Sequence, residues 1–259
     1  MPMPEALRPL VDHAPNSLLV LDFDGTISQL VDHPDDAVAI DGVVQVVCDL
    51  ASRLRVGFIT GRPVDWLMAR MAPAAEAGVE FIGLHGHERW RDGAIVPHHQ
   101  SGEWREVVRA VRQEVADAAP DDVVIEYKGL GLALHFRTSR PAEEWIRAFT
   151  TDIAARTGLV AHDTRYAIEL RPPVDLDKGD AMRELIDEHR PSAVAFFGDD
   201  LVDLPAVDAM RAYDDVTTIA VYVDNEEGPA EFAAIADVVI DSPLAAANAL
   251  AALRDELNL

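Results

Sequence analysis

Short apolar runs that each close on a polar cluster recur along this chain, and that repetition constrains the fold more than any other feature. Ser17–Phe23 (SLLVLDF) ends at Asp24-Gly25, Val56–Thr60 (VGFIT) at Gly61-Arg62, Val79–Leu84 (VEFIGL) at His85-Gly86, and Ala193–Gly198 (AVAFFG) at Asp199-Asp200. Runs of this length, rich in β-branched and aromatic residues and bounded by turn formers, predict buried strands. Between the first two, Val43, Val46, Val47, Leu50, Ala51 and Leu54 fall at helical spacing, so 41–54 is expected to be a helix with one apolar stripe. Pro63 suits the first turn of a second helix carrying Leu67, Met68 and Met71. Strand and helix in alternation imply right-handed crossovers and a parallel sheet.

The rhythm changes from about residue 99. A helix marked by Trp104, Val107, Val108, Val111 and Val115 precedes two alternating strands, 123–128 and 132–137, joined through Gly129 and Gly131. A helix opened by Pro141 and a second strand pair, near 159–161 and 166–170, complete an antiparallel α+β unit. After Pro172-Pro173 the first rhythm returns, with a helix at 178–189, strands at 193–198, 218–223 and 236–241, and a closing helix at 244–256. The expectation is an α/β chain: a doubly wound, Rossmann-like core in two parts, 1–98 and 174–259, with an inserted α+β cap at 99–173.

Charge and cysteine content narrow the function classes. Lys and Arg number 22 against 46 Asp and Glu, a net charge of −24 that argues against holding nucleic acid or an anionic membrane. The single Cys48 excludes an internal disulfide and any cysteine-based zinc cluster. No apolar run approaches membrane-spanning length, and the first residues lack the pattern of a signal peptide. A cytoplasmic monomer acting on a small molecule is expected.

Ligands of open α/β sheets gather beyond the carboxyl ends of the strands. Asp22, Asp24 and Thr26, then Thr60, Gly61 and Arg62, then Asp199, Asp200 and Asp203 fall at those ends, and Lys178 starts the helix after the insertion. Carboxylates in that number can hold a hard divalent cation, while the lysine and backbone amides hold a phosphate. Each cluster alone is ordinary turn chemistry. Their succession at consecutive strand ends is what points to a site.

With these residues in view, the chain resembles the haloacid dehalogenase-superfamily phosphatases. Asp22-Phe23-Asp24-Gly25-Thr26 is similar to their first motif, Thr60 to the second, Lys178 to the third and Gly198–Asp203 to the fourth. Within that superfamily LDFDGTISQLVDHPDDA, FITGRPVDWL, GLHGHE, IELRPPVDLDKGDAM, FFGDDLVD and ADVVIDSP resemble successive blocks of the trehalose-6-phosphate phosphatases, over nearly the whole chain. Val202 and Leu204 stand where that family usually has Thr and Glu; every carboxylate is kept.

The resemblance implies a Mg²⁺-dependent phosphatase that converts trehalose 6-phosphate to trehalose and phosphate, the last step of trehalose biosynthesis. Asp22 is then the nucleophile that forms an aspartyl-phosphate, and Asp24 the acid and base. Thr60 donates to the phosphoryl group, Lys178 offsets charge, and Asp199 binds Mg²⁺ with Asp22 and the Asp24 backbone carbonyl. Asp203 supports them from behind, Asp200 is expected to be structural, and Gly61 and Arg62 fall beside the substrate.

In the insertion, Glu126 and Lys128, His135 and Arg137, and Glu169 and Arg171 are each two apart, so each pair shares a sheet face. Such alternation ordinarily marks a solvated face. The resemblance assigns Glu126, Lys128, Arg137 and Glu169 to sugar recognition, with His135 and Arg171 as weaker candidates. Sucrose phosphate and a glucosylglycerate-type phosphate are alternative substrates, and a non-catalytic sugar-phosphate-binding regulator is an alternative role. His85 and His87 are expected to be structural, and His33, His98 and His99 to lie on the surface.

Overall fold

In the computed structural model, which describes residues 2–31, 34–137, 139–164, 166–225 and 228–259, the chain divides into two compact units. One joins Met1–Val96 to Leu176–Leu259 and the other is Pro97–Asp175. These junctions lie two residues from the sequence boundaries at 98/99 and 173/174.

The core unit runs α1 (Arg8–Asp12), β1 (Ser17–Leu21), α2 (Val43–Ala51), β2 (Arg55–Ile59), α3 (Val64–Arg70), α4 (Ala72–Glu76), β3 (Glu80–Gly83), β4 (Glu88–Arg91) and β5 (Ala94–Pro97). The second unit follows with α5 (Trp104–Ala118), β6 (Val124–Lys128), β7 (Gly131–His135), α6 (Glu143–Thr157), β8 (Val160–Asp163) and β9 (Ala167–Arg171). The core resumes with α7 (Lys178–His189), β10 (Ala193–Gly198), α8 (Leu204–Arg211), β11 (Thr217–Val223), α9 (Ala230–Ile235), β12 (Val238–Ile240) and α10 (Pro243–Glu256).

Among the described residues the core sheet has the order β12-β11-β10-β1-β2-β3-β4-β5. The first six of these strands pair in parallel; β4 pairs antiparallel to β3. The sequence reading expected a parallel sheet and did not assign β4 and β5. They turn on Asp92-Gly93, both at positive φ, 51° and 82°, which is the two-residue hairpin turn an Asp-Gly pair favours. The reading also did not assign α8, whose Pro205 is an ordinary helix-start residue.

Pleating divides each strand between two apolar layers. Leu19 and Leu21 of β1 pack with Phe58, Phe197, Val47, Leu67 and Leu250 on one face. Leu18 and Val20 pack with Phe196, Met182, Leu185 and Val207 on the other. Helices cover both faces, so the strand interior is apolar and polar groups collect at strand ends.

The inserted unit is a four-stranded antiparallel sheet, β6-β7-β9-β8. Leu132, Leu134, Ile168 and Leu170 pack on Val108, Val111 and Val115 of α5 and Ile146 and Ile153 of α6. Register places Glu126, Ala133, Glu169 and His162 side by side in one row on the opposite face.

Candidate active site

Strand order reverses between β1 and β10, the central pair of the six parallel strands, and the chain segments leaving their carboxyl ends carry Asp22 and Asp199. This is the switch point at which open α/β sheets bind ligands. β1 ends at Leu21, earlier than the Phe23 expected from its apolar run. The Asp22 N–H still donates to the Phe197 carbonyl (2.9 Å), after which the chain leaves the ladder in a turn. The directions of Asp22 and Asp24 are therefore set by that turn. Gly25 makes the turn possible. Its φ is +67°, and a Cβ there would lie 1.8 Å from Asp199 Oδ2, so a side chain would exclude Asp199 from the site.

Lys178 arrives by helix capping. Asp177 is the N-cap of α7, its Oδ1 accepting from the N–H groups of Gly179 (2.8 Å) and Asp180 (3.0 Å), while Asp180 Oδ2 accepts from the Asp177 N–H (3.1 Å). This reciprocal box fixes the first turn and points Lys178 inward. Gly179 has no room for a Cβ, which would sit 2.6 Å from the Pro205 carbonyl oxygen. α7 and the start of α8 can thus close on the site.

Asp22, Lys178, Asp199 and Asp203 keep only 6%, 1%, 5% and 0% of their surface exposed, so their charges interact through little water. Lys178 Nζ lies 2.6 Å from Asp203 Oδ1 and 3.0 Å from Asp22 Oδ1. Asp203 Oδ2 accepts from the backbone N–H groups of Asp199 (2.9 Å) and Asp200 (3.1 Å). Both Asp203 oxygens are committed to holding neighbours in place. Asp200 caps the short turn Leu201–Asp203 through Leu201 N–H (2.6 Å), a structural task.

Burial pushes the Asp22 carboxyl up to about 7, with Lys178 opposing and Asp203 adding to the rise. Burial and the charges of Asp22 and Asp203 push Asp199 up to about 8. Burial alone would lower Lys178, but Asp203 and Asp22 hold its ammonium above the usual lysine range. Three carboxylates against one ammonium leave this pocket of charge two units too negative when all are ionised.

That imbalance suits a dication. Oxygens of Asp22, Asp199 and Asp203 lie within 4.8 Å of one another, and Asp22 Oδ1 makes no aligned hydrogen bond despite the nearby ammonium. With Asp203 committed, Asp22 and Asp199 are the carboxylates left to hold a divalent metal. The Asp24 carboxylate is not in this cluster; it is turned to Arg62.

Asp24 is gripped by Arg62 in a two-pronged ion pair, Nε to Oδ2 at 2.6 Å and Nη2 to Oδ1 at 2.7 Å. Arg62, expected to face substrate, holds the second aspartate. Thr60 is buried, and its Oγ1 accepts from the Arg62 N–H (3.2 Å). Gly61 is exposed. His85, read as structural, donates its backbone N–H to the Thr60 carbonyl (3.0 Å); His33 lies outside the described residues.

Two residues escaped the sequence reading. Asn225 Nδ2 donates to Asp199 Oδ2 (2.9 Å) from the segment after β11, a position that the strand-end rule applied to β11 would have found. Trp66 stacks against Arg62, and only the partly apolar pattern of α3 hinted at it.

In the inserted unit, Glu126 Oε2 pairs with His135 Nε2 (2.9 Å). Glu169 is half-buried between Ala133 and His162 in the same row. Arg137 is exposed, its guanidinium 5.0 Å from the Tyr166 ring centre. Lys128 is placed on β6, but its side chain lies outside the described residues.

The raised Asp199 carboxyl carries a stability prediction. A group whose folded pKa lies above its unfolded value favours the fold below the unfolded pKa and loses that contribution as pH rises through the folded one. For Asp199 the window runs from about pH 4 to about pH 8. Metal-free Asp199→Asn should therefore melt several degrees above the parent protein at pH 8, with the gap closing towards pH 4. Added Mg²⁺ should raise the parent's melting temperature and leave the variant's nearly unchanged. Parallel melting curves for the two proteins across this range would show that Asp199 is not in such a pocket.

A trehalose-phosphatase family model matches residues 20–234. The trehalose-phosphate phosphatase of Mycobacterium marinum is 31% identical over 274 aligned positions, covering 99% of this chain and 67% of that protein. Across such mycobacterial relatives the chain spans 50–67% of their length. A trehalose-6-phosphate phosphatase related protein shares the fold with a TM-score of 0.71 at 22% identity, covering 92% of this chain and 97% of that one. A haloacid dehalogenase-like hydrolase from Bacteroides thetaiotaomicron superimposes with a TM-score of 0.59 at 14% identity, covering 92% and 99%.

Proposed function

The chain belongs to the trehalose-phosphatase family, and from that premise we propose that it hydrolyses trehalose 6-phosphate to trehalose and phosphate, the last step of trehalose biosynthesis. The observation that carries the reading is the buried Asp22–Lys178–Asp203 chain beside Asp199 at the switch point.

Asp22 attacks phosphorus as the bond to the sugar oxygen breaks, forming an aspartyl-phosphate, and Asp24, protonated on the oxygen it frees from Arg62, gives that proton to the departing oxygen. Asp24 then takes a proton from water as the water oxygen adds to phosphorus. The bond from phosphorus to Asp22 breaks, phosphate leaves, and the Asp22 carboxylate is restored. Thr60 and Gly61 meet the phosphoryl oxygens, and Arg62 contributes the donors that Asp24 leaves over. Lys178 stays charged throughout, held so by Asp203. Asp22, Asp199 and the Asp24 carbonyl would hold Mg²⁺, which would supply positive charge to offset the phosphoryl oxygens. A net charge of −24 repels a dianion at long range, so this local compensation is required.

The polar row of the inserted unit supplies sugar recognition, with Glu126 and Glu169 accepting hydroxyl hydrogen bonds and Lys128 and Arg137 donating. A cytoplasmic monomer fits a chain with one cysteine and a small-molecule substrate.

The test is phosphate release from a panel of trehalose 6-phosphate, sucrose phosphate, a glucosylglycerate-type phosphate and a small aryl phosphate. Trehalose 6-phosphate should be preferred. Activity should vanish with EDTA and return with Mg²⁺, while the larger, less strictly octahedral Ca²⁺ supports it poorly. Glu126→Ala or Glu169→Ala should cut kcat/KM on trehalose 6-phosphate by roughly tenfold or more, since each leaves a sugar hydroxyl unpaired. The aryl phosphate should be unaffected by either change. Full activity after exhaustive chelation, or equal loss on both substrates, would contradict the reading.

A further inference from the structure

Phosphoryl transfer needs no tryptophan, yet Trp66 touches both neighbours of the segment that carries the two aspartates. Its ring meets Phe23 edge-on, with centres 5.4 Å apart and planes at 85°, and Phe23 separates Asp22 from Asp24. The Arg62 guanidinium carbon lies 4.2 Å from the Trp66 ring centre, and Arg62 is the residue that grips both Asp24 oxygens.

Trp66 is itself held. Its indole N–H donates to Asp35 Oδ1 (3.2 Å). Arg70 lies 3.6 Å from the same ring centre and donates to the carbonyls of Trp66 (3.3 Å), Asp35 (2.8 Å) and Ala37 (3.1 Å). The indole is thus a fixed plate between two guanidinium groups and an aromatic edge.

A long arginine side chain has many rotamers, and its fork orients a carboxylate only where the guanidinium plane is itself fixed. The backbone anchors Arg62 at one end through its N–H on Thr60 Oγ1. Its far end is steadied by the indole face, where a cation meets the negative side of the ring quadrupole. We propose that Trp66 is a positioning residue for the leaving-group proton: by fixing the Arg62 fork and the Phe23 ring it sets the orientation of the Asp24 carboxyl, one oxygen of which stays on the fork while the other, freed from it, carries the proton. The proposal rests on the reading of Asp24 as the acid in phosphate-monoester hydrolysis.

A misdirected acid matters most where the leaving group cannot depart without its proton. A sugar alcohol is such a group; p-nitrophenolate is not. In folded Trp66→Leu, kcat/KM on trehalose 6-phosphate should fall roughly tenfold or more, because small displacements of a reacting group are costly. The kcat/KM on p-nitrophenyl phosphate should fall less than about twofold, since that ratio reports phosphoryl transfer to Asp22 and not the later water step in which Asp24 is the base for every substrate. Across a series of aryl phosphates, log kcat/KM should fall more steeply with leaving-group basicity than in the parent enzyme. Trp66→Phe retains a smaller ring face and should give an intermediate slope.

Should Trp66→Leu fail to fold, as judged by its melting curve, Trp66→Phe decides. An intermediate slope supports the proposal, and the parental slope overturns it. An equal drop in kcat/KM on every leaving group would also overturn it, since that is what general loosening of the site produces. A parent enzyme that hydrolyses no phosphate monoester would sink the functional reading itself, an outcome that the comparison of Trp66 variants cannot produce.

Discussion

Asp22→Asn is expected to lower trehalose 6-phosphate hydrolysis by roughly 10⁴-fold or more while leaving the fold intact. An amide is a poor nucleophile, and no other carboxylate can take over. Asp203 spends both oxygens on Lys178 and two backbone N–H groups, and Asp24 is held by Arg62. The usual objection, that a buried substitution unfolds the protein, is weak here. Burial already pushes Asp22 up to about 7, so near neutral pH its charge costs stability that the neutral amide recovers. The melting temperature of metal-free Asp22→Asn should match or exceed the parent's at pH 8. Substrate affinity should survive, since the change removes a charge that repels the phosphate. Calorimetric binding with steady-state assays would separate these effects, with mass spectrometry to exclude deamidation back to aspartate. Turnover within about 100-fold of the parent would rule out the aspartyl-phosphate route.

What made Asp22 and Asp199 legible in the sequence was a rule about strands. A parallel strand buried on both faces must be apolar, so the first polar residue after it marks the sheet edge where ligands bind. Asp203 was legible because it falls in the same polar cluster as Asp199 beyond one strand end. Lys178 was legible as the lone ammonium at the start of the helix after the insertion, but its pairing with Asp22 and Asp203 was not, since nothing in its spacing shows that α7 begins against β1 and β10. The Arg62–Asp24 grip and the Asn225–Asp199 bond join residues 38 and 26 apart in sequence. They exist because the sheet order sets β2 and β11 beside the two central strands. Charge and hydrogen-bonding type are visible in a sequence, but pairing across a sheet is settled only once strand order is known. The β4–β5 hairpin is a different case. Its Asp92-Gly93 turn is visible in the sequence, but the strands it joins are only four residues each.

Lys178→Met is expected to be the most destabilising single change in this site. Its ammonium lies within 3.0 Å of Asp22 and Asp203, all three nearly excluded from solvent. Methionine fills similar volume but leaves three buried carboxylates facing one another. Removing one partner of a buried ion pair typically costs about 3–5 kcal/mol, because the other charge stays behind without compensation. The loss should be largest at high pH, where Asp22 and Asp199, raised to about 7 and about 8, would otherwise ionise. It should shrink as acid neutralises them. The double variant Lys178→Met/Asp203→Asn should regain much of the lost stability, since its Oδ1 can still accept the two backbone N–H groups while no charge faces the methionine. It should regain no activity, because the ammonium that offsets the nucleophile and the phosphoryl group is still missing. Chemical denaturation of both variants with chelator at pH 6 and pH 8 checks this. If the single variant were as stable as the parent at pH 8, the lysine would not be compensating buried charge. If the double variant hydrolysed trehalose 6-phosphate, Lys178 would have no part in the chemistry.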